Sequence, residues 1–147
     1  MRPIIMLTAL LAGALMPVQA GINARLRGFL GDPLLASLVS FAVGTVVLLG
    51  VVVVTRVPLP TLAMAAEAPW WSWLGGSLGA FFVAVTVILA FKLGATGLMA
   101  WIIAWQLIGS VLLDQYGVIG FAVREVSWQR LAGVALLFAG AVLVNEY

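Results

Sequence analysis

Leu34–Thr55 reads LLASLVSFAVGTVVLLGVVVVT, 22 residues without a single charge. A helix crosses a hydrocarbon core ~30 Å thick with about 20 mostly apolar residues, so this stretch alone is long enough to span a bilayer. Four further apolar runs lie around it, Ile4–Ala24, Trp70–Phe91, Gly94–Leu113 and Leu131–Val144, with most of the charges between them. The chain is 65% hydrophobic and 8% charged, where soluble domains are about a quarter charged. Its mean hydropathy is +1.23. In lipid every backbone polar group must be paired within the protein, which leaves helices or a closed barrel. No run alternates with the period of two that a barrel requires. The sequence therefore predicts an all-α integral membrane protein, one transmembrane domain over residues 1–147 with five transmembrane helices.

Five spans in 147 residues leave no room for a water-facing catalytic domain. The gap Arg56–Pro69 is short and proline-marked, and reads as an interfacial loop. Cysteine and histidine are both absent, so disulfides, thiol chemistry, His-bound metals and imidazole proton relays drop out. No span carries paired carboxylates, and Ser110 has no base beside it, so an intramembrane enzyme is not expected. Neither a metal nor another cofactor is implied. The pI is near 9.7, but a net charge of +2 spread over loops makes no basic patch, so no nucleic-acid partner is expected. The expected surroundings are a lipid bilayer, crossed several times.

Arg2, an apolar run to Met16, Pro17 and then Val18-Gln19-Ala20 have the outline of a signal peptide with its cleavage site. A single Arg makes a weak leader, and the apolar character resumes only briefly before Arg25, so Ile4–Ala24 is read as the first membrane helix. With five crossings, Arg2, Arg56, Arg124 and Arg130 fall on one side and Arg25, Arg27 and Lys92 on the other. Orientation follows the Lys/Arg excess in short loops, and four against three nearly cancels. The expectation is an antiparallel, dual-topology homodimer of oppositely inserted copies; the alternative is one topology with the N-terminus inside. Such a pair would recreate the inverted repeats of secondary transporters from one chain.

Gln19 and Asn23 lie four residues apart on one helix face, downstream of Pro17, which frees a carbonyl near Gly13. They form either a polar notch for a small solute or hydrogen bonds to a neighbouring helix, and Asn23 has the further option of capping the helix end. Gln106, Ser110 and Asp114 repeat at spacing four. Gln106 falls near the middle of its span, where an unpaired amide costs several kcal/mol, so it lines a cavity or bonds another helix. Asp114 ends the stripe, either solvated, paired with Arg124, or carrying a coupling ion. Trp101 and Trp105 sit near mid-membrane and either stack on a ligand or pack helices together. Trp70, Trp71, Trp73 and Trp128 read as interfacial belt residues. Ala36, Ser40 and Gly44, with Gly75 and Gly79, read as close-packing seams; Gly75-Gly76 has the alternative role of a hinge. Arg25 and Arg27 read as orientation charges, with an anionic-substrate role for Arg25 as the lesser alternative.

Leu131-Ala-Gly-Val-Ala-Leu-Leu-Phe-Ala-Gly-Ala-Val-Leu-Val-Asn145 resembles the closing helix of the drug/metabolite transporter superfamily, which includes the small multidrug resistance proteins. Ser127-Trp128-Gln129-Arg130 resembles the polar lead-in to that helix. Pro17-Val-Gln-Ala-Gly-Ile-Asn-Ala-Arg-Leu26, Trp70-Trp71-Ser-Trp-Leu-Gly-Gly76 and the Gln106…Asp114 stripe are similar to the five-helix bacterial branch, long catalogued as a domain of unknown function. The resemblance covers essentially the whole chain. It implies that Gly133, Gly140 and Ala141 let two closing helices approach each other across a dimer. It also marks a departure: the small multidrug resistance proteins carry a Glu in the first helix for proton exchange, and Ile4–Ala24 holds no carboxylate. Proton-coupled export of cationic drugs is therefore not carried over.

These readings converge on a secondary transporter of the drug/metabolite class, moving a small, neutral or weakly polar solute by alternating access in an antiparallel homodimer. Gln19, Asn23, Trp101, Trp105, Gln106 and Ser110 are the expected solute contacts, with Asp114 the candidate for coupling. The competing reading is a pore-forming or non-transporting membrane subunit that assembles through its glycine seams.

Overall fold

A computed structural model describes residues 2–146, which contain helices and turns but no strand. The chain divides into two compact units, Met1–Leu89 and Ala90–Tyr147.

In the first unit, α1 spans Arg2–Leu30. It overruns the expected end at Ala24, because Ala, Leu and Arg are all good helix formers and nothing before Gly31 stops them. At 1.5 Å per residue the helix is about 43 Å long, more than the hydrocarbon core needs, so its last turns reach the polar zone. Pro17 sits inside the helix. Gly31, at φ 78°, terminates α1 and donates its N–H to the Arg27 carbonyl at 2.8 Å. Asp32 then caps α2, Pro33–Thr55, accepting from the backbone N–H groups of Leu34 at 2.7 Å and Leu35 at 3.1 Å. So short a link makes α1 and α2 packed antiparallel neighbours.

Residues 56–69 are not wholly irregular. Thr61 caps a six-residue helix, α3 (Leu62–Glu67). A 3-10 turn over Trp70–Leu74 follows, presenting Trp70, Trp71 and Trp73 on the surface. The next helix, α4, runs Gly75–Tyr116 and is broken at Gly94, whose φ 69° and ψ 169° lie outside any helix. Its first half closes the core of the unit: Val83 and Val87 pack with Ala36 of α2, flanked by Leu26 and Phe82. A Cβ on Gly79 would come within 3.3 Å of the Phe41 ring, so the expected seam is real there. Gly44 and Gly75, from the same expected seams, have no such neighbour.

In the second unit, residues 95–116 of α4 turn back through a loop into α5, Trp128–Glu146. The loop carries positive φ at Gly117, Ile119 and Gly120. A Cβ at Gly117 would lie 2.6 Å from a Val123 methyl, so glycine is required by space as well as by conformation. α5 starts three residues before the expected run, because the Ser127 hydroxyl accepts the Arg130 N–H at 3.3 Å and caps the helix. The polar lead-in is thus mostly helix.

Four helical stretches are long and apolar enough to cross a membrane: Arg2–Leu30, Pro33–Thr55, Trp70–Tyr116 and Trp128–Glu146. The third holds the Gly94 break between halves of about membrane length. Four to five membrane helices are therefore present.

Candidate functional site

The α4–α5 hairpin is held in register at three levels. At one end the Arg130 guanidinium meets the Asp114 carboxylate at 2.9 Å. In the middle the Phe138 ring stands edge-on to Trp101 and Trp105, with centroids 5.4 and 6.1 Å away. At the other end the Asn145 amide donates to the carbonyls of Ala141 at 2.8 Å and Gly97 at 3.5 Å. Every pairing fits one antiparallel register. A Cβ on Gly97 would lie 2.6 Å from the Asn145 Oδ1, so the Asn145 amide fills the space that a side chain there would need.

A groove of about 280 Å³ runs along this hairpin. Leu107, Ser110, Val111 and Asp114 form its α4 wall, and Arg130, Gly133, Val134 and Leu137 its α5 wall. Its apolar length ends at the ion pair, whose side chains are 27% (Asp114) and 32% (Arg130) exposed. The loop reinforces that end: Arg124 donates its N–H to the Asp114 carbonyl at 2.9 Å, and Gln115 Oε1 accepts from the Val126 N–H at 2.7 Å. The expected alternative of an Asp114–Arg124 pair is corrected. Arg124 reaches Asp114 only through the backbone, and the carboxylate is taken by Arg130. The groove therefore offers apolar contact along its walls and a charge-neutral polar end.

The expected residues divide between the two units. Ser110, Asp114 and Gly133 share the groove. Trp101 and Trp105 share Phe138, the interhelix packing role. Ser110 donates its hydroxyl to the Gln106 carbonyl at 2.8 Å, while the Gln106 amide is exposed and finds no partner among the described residues. Gly140 has open space around it and Ala141 is buried. In the first unit, Gln19 is exposed and likewise unpartnered among the described residues, whereas Asn23 is buried. Asn23 does not cap the helix, which continues for seven more residues.

Arg130, Phe138 and the Gly97–Asn145 contact are missing from the expected site. Arg130 and Asn145 were visible as polar residues bounding an apolar run, but their partners emerge only from the hairpin register.

The family described as "Putative inner membrane exporter, YdcZ" matches residues 4–143. The inner membrane protein YdcZ of Escherichia coli (strain K12) is 29% identical over 133 residues, covering 90% of this chain and 89% of the relative. No solved structure matches the chain significantly.

Proposed function

The chain belongs to the YdcZ family of multi-pass inner membrane proteins, and we propose that it is a secondary transporter working by alternating access as an antiparallel homodimer. Its solute is small and neutral or weakly polar. The observation that carries this reading is the Gln106 amide, exposed near the middle of an apolar helix and unpartnered among the described residues. An amide facing hydrocarbon costs several kcal/mol unless something bonds it, and a solute-filled cavity or a second subunit meets that need. Gln19 repeats the situation on α1. The Asp114–Arg130 pair keeps the groove free of net charge, which favours a neutral solute. Asp114 would carry a coupling ion only if Arg130 releases it.

Five crossings suit the homodimer, and the Gly94 break supports them by dividing α4 into two spans. The faces of Gly133 and Gly140 suit a closing helix from the second copy. The test is counterflow in proteoliposomes preloaded with unlabelled small neutral polar solutes, a panel of polyols, amides and sugars. Saturable counterflow of at least one solute, lost in Gln106→Leu and Gln19→Leu variants that still fold and dimerise, is the expected result. Flux without saturation would point to the pore-forming reading. Undiminished transport by the two folded variants would remove both amides from the site.

A further inference from the structure

Because α1 continues to Leu30, the Gln19–Asn23 face extends one turn further than the apolar run suggests, and the next residue at spacing four is Arg27. Arg25, the cation first weighed for an anion, falls on the opposite side of the helix, where its guanidinium lies 5.5 Å from the Phe29 ring centroid. Asn23 is only 5% exposed, and no hydrogen bond reaches its amide among the described residues. No fully buried polar side-chain atom lacks a partner among those residues. The Asn23 amide is therefore nearly buried and without a partner among the described residues, yet not wholly sealed off.

Arg27 stands beside it, half-buried. Its one hydrogen bond among the described residues goes to the Val87 carbonyl at 3.5 Å, the limit of a useful contact. The Val87 carbonyl is a weak partner for a guanidinium, which presents five donors. Asp32, five residues on, caps α2 through its Oδ1, and no ion pair joins it to Arg27 among the described residues. The contrast with the second unit is direct: Arg130, buried to a similar degree, holds a carboxylate at 2.9 Å. Partly buried charges are ordinarily paired, and an arginine fork is suited to oxyanions.

We infer that Asn23 and Arg27 form an oxyanion-binding subsite at the polar end of α1, taking a phosphate or carboxylate group. The guanidinium supplies charge and paired donors, and the Asn23 amide supplies one more N–H from the apolar side. Arg27 lies beyond the 4–24 run, near headgroup depth, so the oxyanion comes either from an anionic lipid or from a soluble anion. The inference goes beyond the transport reading and does not depend on it, because it concerns binding alone.

The test is thermal unfolding of the purified, delipidated protein in neutral detergent. It is titrated separately with inorganic phosphate, with acetate and with phosphatidylglycerol in mixed micelles. Saturable stabilisation by at least one of these is expected. Arg27→Gln should weaken it about tenfold or more, as loss of a charged hydrogen bond would. Arg27→Lys should restore part of the effect, Asn23→Ala should weaken it less, and Arg25→Gln should leave it unchanged. Circular dichroism checks that each variant is folded. Response to phosphatidylglycerol alone identifies a lipid headgroup, and response to phosphate or acetate a soluble oxyanion. No stabilisation of the wild type by any of the three overturns the subsite. So does stabilisation that persists in both Arg27 variants, or that depends on Arg25.

Discussion

Asp114 and Arg130 meet at 2.9 Å with about a third of each side chain still exposed. A pair that solvated contributes about 1 kcal/mol rather than the larger coupling of a buried one. Asp114→Asn and Arg130→Gln should each lower stability by about that amount in detergent unfolding, and the double variant should lose little more than either single one. Losses that simply add would show that the two charges are not coupled. At the other end of the hairpin the limiting atom is Asn145 Oδ1, the tip of a rotatable side chain. Gly97→Ala should therefore displace Asn145 instead of separating the helices, costing about 1 kcal/mol for the disturbed hydrogen bonds. In an Asn145→Ala background the same Gly97→Ala change should cost almost nothing. An equal cost in both backgrounds would place the strain in the backbone.

At the scale of helices, what the sequence discloses depends on whether the signal is local. Apolar length located the long helices, four to five of which can cross a membrane, and Lys92-Leu-Gly94 marked the interruption inside α4. Helix ends were less legible: hydropathy stops at Arg25, but the backbone stops only where Gly31 breaks the helix and Asp32 starts the next. That difference of one and a half turns conceals Arg27 as a member of the Asn23 face. The groove was less legible still. Ser110 and Asp114 are visible as a stripe, but the choice of Arg130 over Arg124 depends on how the loop 117–127 sets the hairpin register. The interruption itself can be tested. Gly94 has backbone angles that only glycine adopts readily, so Gly94→Ala should destabilise by about 1–3 kcal/mol. Gly109 lies in regular helix with open space where a Cβ would go, so Gly109→Ala should be neutral or stabilising by up to about 1 kcal/mol. Equal behaviour of the two in thermal unfolding would mean that α4 is one uninterrupted helix.

For the molecule as a whole, the proposed antiparallel pair depends on the absence of a strong orientation signal. Under five crossings the loop cations divide four against three. With so little bias, insertion should proceed both ways. The chain contains no cysteine, so Gly28→Cys and Leu59→Cys each introduce a single thiol at an exposed position. Gly28 lies near the polar end of α1 and Leu59 in the loop after α2, on opposite sides of the membrane in a five-span chain. An impermeant maleimide added to intact cells should label about half of each variant, and permeabilisation should expose the rest. Complete labelling of one variant and none of the other would establish a single orientation. The inverted symmetry of the proposed cavity would then require a different, oppositely inserted partner, because two parallel copies cannot supply it.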